Sequence, residues 1–131
     1  VTCITPNRSE AYVGYERTHG SCYKTPELEE VGWGLMKKLK LDSVLITLGE
    51  GGMALFEKSK KLTKVPTAAR EVFDVSGAGD TVIATLALSL ASGAKMQEAA
   101  KIANLAAGIV VGKLGTATAA PEELIEAIRK V

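Results

Sequence analysis

Only two cysteines, Cys3 and Cys22, occur in the 131 residues, and no second cysteine or histidine lies at ligand spacing from either. That excludes a disulfide framework and a zinc module, and leaves two ordinary reduced thiols. An excess of charge is equally lacking, since 16 Lys and Arg nearly cancel 15 Asp and Glu. Nothing global therefore attracts nucleic acid or an acidic membrane, and partners have to be argued from local sites. No apolar run reaches the length that spans a bilayer, and the first residues have neither the basic nor the apolar region of a secretory leader, so a cytoplasmic location is expected. Internal repeats and low-complexity linkers are also missing. The single histidine, His19, and the aromatics Tyr12, Tyr15, Tyr23 and Trp33 form no pattern tied to chemistry, and read as packing or surface residues.

What is present is a globular balance, 47% hydrophobic and 24% charged, sized for one core. Val1 to Thr5 reads as a strand stopped by Pro6-Asn7. It begins with no lead-in, so the chain is expected to start inside a larger protein. Asn7 to Tyr12 reads as a short helix, and the stretch from there to Lys24, which includes His19, as a loop. Thr25-Pro26-Glu27 signals a helix start, with a threonine cap and proline first. Leu28, Val31, Leu35 and Leu39 then recur at helical spacing, although Gly32 and Gly34 weaken that helix for no reason visible in the sequence. The apolar run Val44-Leu45-Ile46-Thr47-Leu48 has the form of a parallel strand buried on both faces. Met53 to Glu57 and Leu62 to Pro66 read as a hairpin about Lys58 to Lys61, and Glu71-Val72-Phe73 leads into a glycine turn. A helix follows to Gly93, a second runs from about Lys95 to Val111 lined by Ala99, Ala103, Ala106, Ala107 and Gly108, and a last one opens at Pro121 and is expected to bury Leu124, Ile125 and Ile128. Strands alternating with helices imply an α/β layered domain.

Three constellations can carry chemistry. The first is Asp74-Val75-Ser76-Gly77-Ala78-Gly79-Asp80-Thr81, where a strand hands over to a helix. Unpaired backbone N–H groups at the positive end of a helix dipole bind anions, and glycine at 77 and 79 lets backbone approach a phosphate closely. Asp80 repels such a phosphate, so it needs another reason to be there. It is either a base that takes the proton of an attacking hydroxyl or a helix cap. The turn is no dinucleotide fingerprint, because Val82 stands where the third glycine belongs, and no Gly-Lys-Ser/Thr follows to make a Walker loop. The second constellation, Thr47-Leu48-Gly49-Glu50-Gly51-Gly52, ends the buried strand, where glycines leave room for a ligand or simply form a tight turn before a hairpin. The third, Asn7-Arg8-Ser9-Glu10, puts an amide and a carboxylate on one helical face, suited to hydrated magnesium or to capping a helix.

In this order the three motifs resemble the ribokinase/PfkB family of carbohydrate kinases. The resemblance implies a ribokinase-like α/β fold, a mostly parallel layered sheet with a hairpin, flanked by helices. Residues 1–131 would be a single nucleotide-binding and catalytic portion, the C-terminal half of the domain, without the N-terminal lid and sugar-binding part. It implies that Asn7 and Glu10 organise Mg and phosphates, and that Thr47, Gly49 and Gly52 lie along the nucleotide. Gly77, Ala78 and Gly79 would form the anion hole beside Asp80 as catalytic base. Asp74 and Ser76 match positions that bind a monovalent cation, such as K, in some members. Asn104 matches a position near the adenine, where Ala107 and Gly108 allow close approach of the ring. ATP and a small carbohydrate are then the implied partners, with neither nucleic acid nor membrane, and a homo-oligomer stays open. The runs from Asp74 to Ala84 and from Asn104 to Thr116 look most like kinase domains that phosphorylate heptose 7-phosphate at its anomeric hydroxyl. A kinase for another small alcohol, or a nucleotide-binding module without turnover, remains an alternative.

Overall fold

The apolar run at Val44 forms the strand on which the sheet is built. The computed structural model describes residues 2–21, 23–69, 75–113, 115 and 117–131. Four strands, β1 (Cys3–Ile4), β2 (Ser43–Thr47), β3 (Met53–Glu57) and β4 (Leu62–Val65), lie in that order across one sheet. β1 pairs with β2 in parallel, Cys3 opposite Ser43, whereas β2 pairs with β3 antiparallel, Leu45 opposite Leu55. Among the described strands both parallel and antiparallel pairing therefore occur. The expected strand at 71–73 lies outside the described residues, as do Val1, Cys22, Asp74, Leu114 and Thr116. Helices α1 (Arg8–His19), α2 (Leu28–Leu39), α3 (Ala78–Ala91), α4 (Met96–Val111) and α5 (Pro121–Arg129) complete the chain. None of the described helices is long and apolar enough to cross a membrane.

The chain divides into two compact units, Val1–Leu48 with Met53–Lys64 and Gly49–Gly52 with Val65–Val131. In the first, α1 and α2 cover the sheet over a core of Ala11, Tyr15, Val31, Leu35, Met36, Val44, Ile46, Ala54 and Phe56. Phe56 is fully buried, which by side-chain transfer is worth about 1.5–3 kcal/mol. Gly32 explains how that ring fits, since any Cβ there would overlap it, and Gly34 likewise makes room for the Tyr15 ring. The helix-weakening glycines are thus sites of close packing. Trp33 meets Phe56 edge-on at 5.1 Å, and Tyr15 stacks on His19 at 4.1 Å.

Two boundaries differ from expectation. The stretch after Tyr12 is helix as far as His19, because Ala11 and Tyr15 bury one face and Thr18 Oγ1 bonds back to the Gly14 carbonyl at 2.9 Å. α2 begins at Leu28 with Glu27 as the residue before it, and the Tyr12 hydroxyl donates to the Pro26 carbonyl at 3.0 Å, so Thr25 and Pro26 lead into the helix rather than start it. In the second unit α3 and α4 pack side by side through Val82, Leu86, Ala99, Ala103, Ala106 and Val110. α5 contacts α4 but buries no residue fully, and Ile125 and Ile128 are 49% and 43% exposed, contrary to the expected buried stripe.

Candidate active site

Parallel pairing brings the carboxyl ends of β1 and β2 side by side. Thr47 N–H donates to the Pro6 carbonyl at 3.0 Å, and Asn7 forms an isolated parallel bridge with Thr47. Asn7, Glu10 and Thr47 are therefore gathered at one edge of the first unit. There Asn7 Oδ1 accepts the Glu10 N–H at 2.9 Å while Glu10 Oε2 accepts the Asn7 N–H at 2.8 Å. This reciprocal capping box is the structural role left open by the sequence, and it also fixes both side chains in orientation. No group of three or more His, Cys, Asp or Glu among the described residues is placed to cage a metal. Two oxygen-bearing side chains fit instead an ion that keeps most of its own waters, as Mg²⁺ does.

In the second unit the glycines sort into two kinds. Gly52, at φ +78, lies so near the Val65–Thr67 backbone that a Cβ would overlap the Val65 carbonyl and sit 2.8 Å from Pro66 C and Thr67 N. At Gly108 a Cβ would meet Ala68 and Ala69 at 3.1–3.2 Å. At these two positions the space a Cβ would need is taken by the Val65–Ala69 stretch. Around Gly49 and Gly79, by contrast, no atom of the described residues outside the local backbone lies within 4 Å of where a Cβ would be. Gly49 needs its φ of +57 to form the 3₁₀ turn Gly49–Gly51. Gly79 has neither a left-handed backbone nor, among the described residues, a packed neighbour to require it.

Gly79 is the second residue of α3. Gly77, at φ +77 and ψ 0, is the residue before the helix and supplies the left-handed bend that turns the chain into it. Asp80 is then third in the helix, so it is not the cap; glycine occupies that position. Its side chain is exposed, and no hydrogen bond or ion pair among the described residues engages the carboxylate. The Ala78 N–H makes a long bond to the Val75 carbonyl at 3.3 Å, whereas those of Gly79 and Asp80 lie in the first turn, where no helical acceptor exists. An anion at this end meets the positive pole of a 14-residue helix. Ser76 is exposed in the same turn, and its expected partner Asp74 lies outside the described residues.

Asn104 is 7% exposed on α4, and its Nδ2 donates to the Pro66 carbonyl at 2.7 Å. Ala107 is half-buried on the same helix. The Val65–Ala69 segment that Asn104, Gly52 and Gly108 all touch carries no motif, and sequence reasoning missed it. Its only signal is Pro66, which ends a strand.

A fold of this kind, with a glycine turn and a free aspartate opening a helix, defines a class. Residues 1–123 match the family described as pfkB family carbohydrate kinase, and the chain belongs to that family. Over 128 residues it is 51% identical to the Bifunctional protein HldE of Proteus mirabilis, a match covering 98% of this chain and 26% of that protein. It thus spans about a quarter of the length of the curated relatives it matches. Among solved structures it superposes on a ribokinase from Thermotoga maritima with a TM-score of 0.85 at 26% identity, covering 98% of this chain and 42% of the other. The Arabidopsis thaliana ribokinase complexed with ribose and ATP gives 0.81 at 27%, covering 98% and 41%.

Proposed function

We propose that this chain is the nucleotide-binding and catalytic portion, one part of a ribokinase-like domain, of an ATP-dependent sugar kinase. Its acceptor is D-glycero-D-manno-heptose 7-phosphate and its product the 1,7-bisphosphate. The observation that carries the proposal is Gly79, a glycine that neither its backbone nor any packing among the described residues requires, at the head of α3 beside an Asp80 whose carboxylate no described residue engages. The choice of acceptor rests on the similarity to HldE proteins and on the runs after Asp74 and Asn104.

In this reading the Asp80 carboxylate takes the proton of the anomeric hydroxyl. The oxygen attacks the γ-phosphorus of ATP, the bond from that phosphorus to the β,γ-bridging oxygen breaks, and ADP leaves. Backbone N–H groups of the Gly77-Ala78-Gly79 turn, with the α3 dipole, face the charge on the transferred group. Thr47, Gly49 and Gly52 run along the nucleotide, Asn104 lies near the adenine with Ala107 and Gly108 beside it, and Asn7 and Glu10 hold the water shell of Mg²⁺. That ion, when bound, neutralises phosphate charge. Ser76, with Asp74, takes a monovalent cation such as K⁺. The reaction belongs in the cytoplasm, where ATP and sugar phosphates are found.

The test is turnover by the full-length protein with ATP and heptose 7-phosphate, read by ³¹P NMR for an anomeric phosphate, alongside other sugar phosphates, nucleosides and small alcohols. Asp80→Asn should lower kcat by about 10²–10⁴-fold and leave ATP affinity within a few-fold. Phosphorylation that survives this change removes Asp80 as base, and ATP binding without turnover on any acceptor makes the chain a binding module.

A further inference from the structure

The Val65–Ala69 segment is touched by three separate parts of the second unit. Gly52 is pressed on its Val65–Thr67 backbone, Gly108 on Ala68 and Ala69, and between them the buried Asn104 amide donates to Pro66 O at 2.7 Å across 38 residues of sequence. Gly52 N–H in turn donates to Gly49 O at 3.1 Å, closing the 3₁₀ turn. A proline carbonyl has no N–H of its own residue to support it in a ladder, so the Asn104 donor is what fixes this peptide.

We propose that Asn104 is a positioning residue: through Pro66 it holds the Val65–Ala69 segment as a strap on which the Gly49–Gly52 turn is seated, and thereby sets where that turn meets the nucleotide. This role differs from contact with the adenine, and it rests on the proposed kinase reading. Gly52 belongs to the same device, as a seat on the strap, while the open Gly49 faces outward. Removing the donor frees the strap, loosens the turn at its far side and weakens nucleotide binding more than it slows transfer.

The experiment is hydrogen exchange on the full-length protein bearing Asn104→Asp, which keeps the shape and loses the donor, with Asn104→Ala as second variant should the charge prevent folding. Exchange at Gly49–Gly52 and Thr67–Ala69 should quicken about ten-fold or more, as for one buried carbonyl left unpaired. Amides of α5 should keep wild-type rates. The KM for ATP should rise about ten-fold with kcat within about three-fold, since the lost interaction is one of binding and not of the transition state. Unchanged exchange at Gly49–Gly52, or a fall in kcat with KM unaltered, overturns the proposal. The exchange result stands by itself, so a wild-type protein that phosphorylates nothing refutes the kinase reading and leaves the strap to be judged separately.

Discussion

Replacing Gly79 with alanine sets two consequences of one methyl group against each other. The residue is helical, has no left-handed φ, and has no atom of the described residues outside the local backbone within 4 Å of the new Cβ. Alanine should therefore be accepted without strain, and its helix preference raises stability by about 0.5–1 kcal/mol over glycine. In a domain of about 150–250 residues that is an increase in Tm of about 1–4 °C. The same methyl projects into the space assigned to the transferred phosphate and pushes that group away from the N–H donors of the turn. Loss of one such donor costs about 10²–10³-fold in rate, and a hundred-fold fall in kcat/KM is about 2.7 kcal/mol. The expected outcome is a protein that melts later and works at least about a hundred times more slowly, measured by scanning calorimetry and a coupled ADP-release assay. Wild-type kcat/KM would mean that the open space holds no phosphate, and a lower Tm would mean that the space is not open.

Gly32→Ala puts a methyl into the Phe56 ring and should destabilise by about 1–3 kcal/mol, the range for overpacked cores, read as a shift of the urea midpoint at constant slope; an unchanged midpoint would contradict the packing described. Burial lifts the Cys3 thiol above its ordinary pKa. Its contribution to stability is present below the pKa of the unfolded thiol and is lost as pH rises through the folded one, so stability should decline above about pH 8.5, and Cys3→Ala should flatten that decline. The Lys113 ammonium, bonded at 2.7 Å, holds the Glu123 carboxyl below its ordinary pKa with help from the Ala120 N–H. That contribution is present above the ordinary carboxylate range and is lost as pH falls through the lowered value. Amide protection in α5 should therefore weaken in acid, and Lys113→Ala should remove the difference.

How much of this was legible depended on whether the cause lay within one segment. The strand at Val44, the hairpin about Lys58–Lys61 and the helices after Gly77 and Lys95 follow from local pattern, and they lie where expected. The end of α1 did not, because Tyr15 and Thr18 are held by α2 and by their own helix rather than by any sequence period. Gly32 and Gly34 were unreadable for the same reason, since their cause is a ring on another element. Within the site, the cap reading of Asp80 could be set aside only after Gly77 was seen in the capping position. The motif glycines could not be told apart in sequence, where Gly49 and Gly52 look alike; the backbone at Val65 separates them.

The strap also bears on the order in which the protein can be finished. The Gly49–Gly52 turn emerges from the ribosome before the segment that seats it, and the amide that fixes that segment follows Pro66 by 38 residues. The turn ends 52 residues before Asn104, so at about 5–20 residues per second it waits about 3–10 s for its support. A chain cut or paused before Asn104 would hold a folded hairpin and an unset nucleotide turn, so competence to bind ATP should appear abruptly, late in synthesis, rather than grow with length.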